Sequence, residues 1–174
     1  MKRSIDVIEH AGEIMKKVND AVLVTTKNGD AVNTMTISWG GMAIEWGKPL
    51  FITYVRESRF TKEFLDATGE FTVNLPMGEF DKKITAVCGS KSGRDMDKIA
   101  ELGLTLEEPQ EINVPGIREL PLTLECRVLF KQEQNLANLD KADAEKWYPV
   151  EESLGKPNVH TAYYAEIVAA YVIE

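Results

Sequence analysis

The sequence predicts a mainly β fold, a closed or partly closed antiparallel barrel that carries helices. Most patterned segments are short alternating or β-branched runs separated by turn residues. These runs do not alternate regularly with helices, which disfavours a doubly wound dinucleotide-binding sheet. No period of 20 to 50 residues repeats along the chain. The 174 residues suit one domain, which we expect to span residues 1–174.

A helix and a hairpin are predicted first. Apolar residues recur at helical spacing over residues 6–18, with Ser4 or Asp6 as the capping candidate. The β-branched run Ala21–Thr26 follows, and the Asn-Gly pair after it tolerates the positive φ angles of a tight turn. The chain should therefore return as a second strand over residues 31–38.

The middle of the chain predicts a strand, a turn, a helix and a strand. The apolar run Leu50–Val55 forms the first strand. Helical spacing from Phe60 stops at Gly69, a residue that commonly ends helices. The segment Glu70–Leu75 alternates as a second strand.

The second half combines short helices with two long strands. Residues 79–87 and Arg94–Leu102 are predicted helices. Alternation over Leu122–Phe130 indicates a half-buried strand, and Thr161–Ile173 supplies the last one. Residues 132–159 are the least patterned part.

Composition excludes several classes of function. The formal net charge of −8 and pI near 4.9 disfavour nucleic-acid binding, which depends on clustered Lys and Arg. The first residues carry charge and no apolar leader, and no long apolar stretch predicts a membrane span, so we expect a cytoplasmic protein. Two His and two Cys, without a metal-binding spacing, predict no metal site.

Three cations crowd the segment Arg56–Lys62, where a predicted strand meets a predicted helix. A helix N-terminus attracts anions, Ser58 and Thr61 add hydroxyl donors, and Arg59 can bind phosphate oxygens in bidentate fashion. The segment therefore indicates a phosphate site. The alternative is that Ser58 is only a helix cap with solvated charges around it.

Small polar residues, two Met, one Trp and a Gly pair make up Asn33–Met42. Such a lining suits a flat polar ring, because Thr and Ser bind ring heteroatoms and Trp or Met covers an aromatic face. The alternative is a strand with a Gly-rich exit and a core Trp.

The segment Cys88–Asp95 is rich in Gly and Ser, carries Lys and Arg, and precedes a helix that Ser92 or Asp95 could cap. It resembles a phosphate cradle, but it lacks the P-loop pattern. Cys88, close to Lys91, is either an activated thiol or an inert buried one.

His160 precedes the final predicted strand. A His at the mouth of a strand can titrate near neutral pH and meet a substrate. Its alternative role is that of a hydrogen-bonded structural side chain.

Taken together, these segments resemble the flavin reductase-like FMN-binding split-barrel family, especially its flavoredoxin-like branch. The resemblance extends over nearly the whole chain. It rests on the order and spacing of six segments: Ala21–Thr26, Asn33–Trp39, Lys48–Pro49 with Arg56–Thr61, Gly69–Asn74, Cys88–Lys98, and His160 before a strand.

The resemblance implies a six-stranded antiparallel Greek-key split β-barrel with flanking helices, usually a homodimer with one FMN per subunit. It assigns the contacts with the isoalloxazine ring to Thr34, Met35, Thr36, Ile37, Ser38 and Trp39, and the contacts with the phosphate to Arg56, Ser58, Arg59 and Thr61. It assigns contacts with the phosphate or the ring edge to Cys88, Gly89, Ser90 and Lys91, and one further flavin contact to Asn74.

The function implied is that of an FMN-dependent oxidoreductase. It would move electrons or hydride from a donor, NADH or NADPH, through FMN to flavin or to a small-molecule or protein acceptor, with His160 orienting the donor. The alternatives are an electron carrier without small-molecule turnover and a flavin-free interaction barrel.

Overall fold

The computed structural model describes residues 1–174 and confirms a mainly β, antiparallel architecture with flanking helices. The strands are β1 (Lys2–Ser4), β2 (Val22–Asn28), β3 (Ala31–Ile37), β4 (Gly40–Glu45), β5 (Lys48–Arg56), β6 (Glu70–Leu75), β7 (Leu106–Glu107), β8 (Gly116–Ile117), β9 (Leu122–Glu133), β10 (Val150–Glu151), β11 (Lys156–Pro157) and β12 (His160–Ile173). The helices are α1 (Ala11–Asp20), α2 (Phe60–Thr68), α3 (Lys83–Ser90), α4 (Lys98–Leu102) and α5 (Lys141–Trp147), with a 3₁₀ turn at Leu136–Asn138.

One sheet of eight strands, two more than the predicted six, dominates the fold. Its order is β3-β2-β6-β9-β12-β5-β4, and β1 pairs with β12. The two edge strands, β3 and β4, are separated by Ser38 and Trp39 alone. Because so short a link spans only about 10 Å, the sheet must curl until its edges approach each other. No ladder joins those edges, so the curled sheet has a split there.

The predicted hairpin forms as expected. β2 and β3 pair in continuous register from Val22 opposite Ile37 to Asn28 opposite Ala31. Gly29 has a φ of 58°, the left-handed conformation that the tight turn requires. The register places Thr34 and Met35 on a buried stretch of β3 at the split.

Three predicted helices have wrong boundaries. Helix α1 begins at Ala11 rather than near residue 6, because the Asp6 carboxylate caps a separate turn by accepting from the backbone N–H of Ile8. Helix α3 covers Lys83–Ser90, so Cys88 to Ser90 are helical rather than loop. Helix α4 begins at Lys98, capped by Asp97 instead of Ser92 or Asp95.

Other predictions were incomplete. The Gly pair after Trp39 opens β4 instead of ending a strand. Gly40 is required there, because a Cβ atom would lie 2.6 Å from the Ile52 carbonyl oxygen. The weakly patterned residues 132–159 contain α5 and the small β10–β11 pair.

The core fills the interior of the curled sheet. It contains Phe51, Phe71 and Tyr163 among twenty buried residues. A smaller cluster, centred on Ile84 and Leu120, packs α3 and α4 against the outside of the sheet. No helix in the chain is long and apolar enough to cross a membrane.

Candidate functional site

Three adjoining cavities lie beside the split. We name them the ring cleft, of about 330 Å³, the cation cleft, of about 140 Å³, and the outer cavity, of about 480 Å³. The ring and cation clefts share Met35 and Arg59, whereas the ring cleft and outer cavity share Trp39, Tyr54 and His160. The three therefore form one continuous groove.

One wall of the ring cleft is formed by residues of the segment Asn33–Met42. Its lining comprises Met35, Thr36, Ile37, Ser38, Trp39, Tyr54, Arg56, Arg59 and His160. Strand β3 ends there, so its last residues and the link to β4 form one wall. The opposite wall comes from the end of β5 and the start of β12, which pair through Arg56 and His160.

Side chains of the motif have different roles. The Thr36 hydroxyl donates to the Thr85 carbonyl oxygen at 2.6 Å, which ties β3 to α3. Ile37 is buried in the core, so its contribution to the cleft is mainly backbone. Trp39 remains 49% exposed and packs edge-on against Trp147, with 5.7 Å between ring centroids. It is therefore an open wall and not a core residue.

The cation cleft is lined mainly by residues of the segments Arg56–Lys62 and Cys88–Asp95. Its lining comprises Asn33, Met35, Ser58, Arg59, Phe60, Thr61, Lys91, Ser92, Gly93, Arg94 and Lys98. Four of these residues are basic and none is acidic. In a chain of net charge −8, this concentration of positive charge indicates an anion site.

The start of α2 brings its residues to this cleft, with Arg59 as the N-cap position. The Ser58 side chain does not cap the helix. It instead accepts a hydrogen bond from Asn158 Nδ2 at 2.7 Å, while the Ser58 backbone N–H donates to Asn158 Oδ1. Thr61 is buried and accepts from Asn33 Nδ2 at 2.8 Å. The hydroxyls are therefore held in fixed positions at the cleft.

Arg56 and Arg59 differ in their partners. Arg56 donates to the carbonyl oxygens of Asn158 and Trp147, which directs it toward the ring cleft and away from the cation cleft. Arg59 is exposed, and its guanidinium makes no hydrogen bond or ion pair within the chain. Arg59 is thus free to bind an external anion, whereas Arg56 is engaged in binding the chain to itself.

Lys98 was not predicted as a site residue. It is only 5% exposed, and its ammonium donates to the carbonyl oxygens of Thr34 and Cys88 at 2.9 and 3.2 Å. No carboxylate neutralises it. Burial lowers the pKa of Lys98, and the charge of Arg59 adds to this effect. A bound anion would favour the charged form and reverse that shift.

Only part of the segment Cys88–Asp95 reaches the groove. Lys91 lines the cation cleft, whereas the Ser90 hydroxyl donates back to the Ala86 carbonyl oxygen. Gly89 approaches the groove wall closely, since a Cβ atom there would lie 3.3 Å from Thr36. Cys88 is fully buried, and burial raises its thiol pKa to about 11, which indicates an inert thiol.

Asn74 lies away from the groove. Its side-chain amide donates to the hydroxyls of Thr25 and Thr72, and its carbonyl oxygen accepts from the backbone N–H of Ile117. All three contacts are buried. Asn74 therefore stabilises the interior of the sheet, and nothing in its surroundings brings it to a ligand.

His160 lines both the ring cleft and the outer cavity. It is buried, its ring lies 5.5 Å from that of Trp39, and its Nδ1 lies 2.8 Å from the Tyr148 hydroxyl. Burial, reinforced by the positive charges of Arg56 and Arg59, lowers the pKa of His160 to about 4. The imidazole is therefore neutral at pH 7.

Sequence reasoning missed Lys98, Asn158 and Tyr148. Lys98 occupies the first turn of a short helix, where a Lys usually faces solvent. Asn158 and Tyr148 belong to the weakly patterned segment, which no periodic signal could place beside Arg56. No group of three His, Cys, Asp or Glu side chains is arranged to hold a metal ion.

Comparison with known proteins agrees with the fold. The family model described as "Flavin reductase like domain" matches residues 17–174, and the chain belongs to this family. An uncharacterized protein of Archaeoglobus fulgidus is 34% identical over 101 residues, which cover 58% of this chain and 56% of that protein. The match thus spans little more than half the length of that relative.

Solved structures show the same fold. An FMN-binding domain of a flavin reductases-like enzyme from Shewanella baltica has a TM-score of 0.67 and 17% identity, covering 99% of this chain and 77% of its own. Flavoredoxin from Methanosarcina acetivorans has a TM-score of 0.65 and 25% identity, covering 88% and 68%. The predicted family is confirmed.

Proposed function

We propose that the chain is an FMN-binding oxidoreductase that passes electrons or hydride from a reduced donor to an acceptor. The observation that carries this proposal is the continuity of a polar ring cleft with a smaller cleft in which three of the four cations, Arg59, Lys91 and Lys98, have no carboxylate partner, whereas Arg94 pairs with Glu63. A ligand with a flat polar ring and a phosphate matches both. FMN has this chemistry, and proteins similar to this chain are described as FMN-binding or as flavoredoxin.

The cation cleft would hold the phosphate. Arg59 and Lys98 offer charged donors without a carboxylate partner, and Lys91 adds a third cation with no partner of its own. Ser58 and Thr61 contribute hydroxyls held by Asn158 and Asn33. Charged hydrogen bonds to a phosphate are stronger than neutral ones, so this cleft would supply much of the affinity.

The ring cleft would hold the isoalloxazine. Met35 to Trp39 supply backbone groups, hydroxyls and an indole along one wall. The predicted contact at Thr34 does not line the cleft, because Thr34 is fully buried and its hydroxyl donates to the Val24 carbonyl oxygen. Gly89 leaves room behind Thr36 for α3 to pack closely. When bound there, FMN would supply the ability to accept and release electrons or hydride, while the chain positions it and limits its access to water.

The outer cavity would receive the electron donor or acceptor. It adjoins the ring cleft through Trp39, Tyr54 and His160, and no Lys or Arg lines it. It therefore suits the ring end of a partner such as NADH or NADPH, with His160 orienting that ring. We expect His160→Ala to retain FMN but to slow reduction by NAD(P)H, and equal reduction rates would remove this role.

An electron carrier without small-molecule turnover is the second candidate. The net charge of −8 favours it, because an acidic protein can dock on basic redox partners.

We further propose that the protein is cytoplasmic and forms a homodimer. The dimer is supported by the exposed apolar side chains of Ile44 and Trp46 at the β4–β5 turn. Sedimentation of the purified protein at several concentrations tests the dimer, and a monomer at all of them would contradict it.

Two spectra test the function directly. Purified protein should be yellow or should become so with added FMN, and anaerobic NADH or NADPH should bleach it. Bleaching by a reduced redox protein alone would favour the carrier. Failure to take up FMN would overturn both candidates.

A further inference from the structure

The two ring nitrogens of His160 have different surroundings. Nδ1 faces the Tyr148 hydroxyl at 2.8 Å, whereas Nε2 has no hydrogen-bond partner within the chain. Two side-chain oxygen atoms, Thr53 Oγ1 and Thr123 Oγ1, are both inaccessible to solvent and without a hydrogen-bond partner. His160 Nε2 also lacks a partner but does not belong to this inaccessible group, so it is accessible from the groove that His160 lines.

The Tyr148 hydroxyl also contacts Gln134. Its hydrogen bond is to the side-chain carbonyl oxygen of Gln134, which can only accept. A hydroxyl has one proton to donate, and here it goes to Gln134. The Tyr148 oxygen is then left to accept a proton from His160 Nδ1.

His160 is neutral, so it has a single ring proton to place. Burial and the charges of Arg56 and Arg59 disfavour a second proton by lowering the pKa of this His to about 4. If the one proton is on Nδ1, Nε2 carries the lone pair.

Arg56 fixes the geometry of this contact. Its guanidinium donates to the Trp147 carbonyl oxygen at 3.2 Å and lies 5.4 Å from the centre of the Tyr148 ring. It also donates to the Asn158 carbonyl oxygen, two residues before His160. Arg56 thus holds both partners of the hydrogen bond in one arrangement.

We propose that Gln134 and Tyr148 are positioning residues that keep His160 protonated on Nδ1, so that Nε2 presents a hydrogen-bond acceptor to the groove. A ring ligand that carries an O–H or N–H donor would therefore be preferred over one that does not. The preference among ligands rests on the proposed function, since bound FMN would complete the groove. The position of the proton on His160 does not depend on the proposed function.

Nitrogen NMR tests the proton position. The chain has two His, so a His10→Gln variant labelled with ¹⁵N-histidine reports on His160 alone. At pH 7 we expect a protonated Nδ1 and an unprotonated Nε2. Tyr148→Phe should shift the proton toward Nε2, whereas Tyr164→Phe, which removes another hydroxyl from the same cavity, should not. A protonated Nε2 in the otherwise unaltered protein would overturn the proposal.

Phenol and anisole test the preference among ligands. When each compound is titrated into FMN-loaded protein, phenol should bind about fivefold more tightly than anisole, because only phenol can donate a hydrogen bond to Nε2. Tyr148→Phe should reduce that ratio toward one. Equal binding to the unaltered protein would overturn the ligand preference. Failure to load FMN would instead count against the proposed function and leave the NMR result standing.

Discussion

Two buried charges in this fold are treated in opposite ways. Glu125 on β9 is completely buried, and its carboxylate accepts from the backbone N–H groups of residues 110, 111 and 112 and from the Tyr171 hydroxyl. Burial and this hydrogen bond raise the pKa of Tyr171. The chain therefore supplies all the donors that this anion needs.

Lys98, by contrast, has two carbonyl partners and no anion, with Arg59 and Lys91 unpaired nearby. Burying an unneutralised charge costs free energy. The Glu125 region shows that this fold can satisfy a buried charge internally. The difference supports the proposal that a bound ligand supplies the counter-ion in the cation cleft.

The largest expected effect is on Glu125. Glu125→Ala leaves several buried donors without a partner and should lower the free energy of unfolding by about 4 kcal/mol. Urea unfolding measures the loss. Glu133→Ala, on the exposed end of the same strand, should change it by less than about 0.5 kcal/mol. A Glu125 variant as stable as its parent would remove one side of the comparison.

Lys98→Met should behave in the opposite way. It should weaken FMN binding by about 2 to 3 kcal/mol, because a charged contact is lost. Its free energy of unfolding without ligand should change by less than about 1 kcal/mol, since a desolvated charge is removed as well. Calorimetric titration and urea unfolding measure the two effects. A large loss of stability with unchanged FMN affinity would show that Lys98 is structural.

Arg59→Ala and Ser58→Ala should each weaken FMN binding by about 1 to 3 kcal/mol while the protein stays folded. Arg59→Ala should also weaken the dependence of affinity on salt concentration, because one phosphate contact is lost. Lys16→Ala, an exposed cation on α1, is the control and should change neither quantity. Unchanged affinity in both site variants would contradict the phosphate assignment.

His160 predicts a loss of stability in acid. Its folded-state pKa of about 4 lies below the value of 6.5 expected when unfolded. Between these values the unfolded chain binds more protons, so stability falls as pH drops below about 6.5. The contribution from pH 7 to pH 5 is about 2 kcal/mol. Urea unfolding of His160→Gln should lack that part of the decrease, and an identical pH dependence would contradict the prediction.

Much of the fold was predictable because local signals agreed with tertiary packing. The Asn-Gly turn, Gly69 and the alternation of β9 and β12 are short-range features, and all of them appear in the structure. Position 98 was not predictable, because its burial depends on carbonyl groups that β3 and α3 bring from elsewhere in the chain.

The site shows the same division. Residues 35–39, Arg56 and residues 58–61 line the groove, and local chemistry and the resemblance had indicated them. Asn74 was grouped with them, but its amide is engaged by Thr25 and Thr72, a contact that only strand pairing creates. The partners of His160 lie in a segment without periodicity, so no sequence pattern indicated them.

The most direct test of the phosphate site compares FMN with riboflavin, which lacks the phosphate. Calorimetric titration of flavin-free protein with each should give at least about hundredfold tighter binding of FMN, the effect of losing several charged hydrogen bonds. Lys98→Met should narrow that ratio. Equal affinities for the two flavins would show that the cations of this cleft do not bind a flavin phosphate.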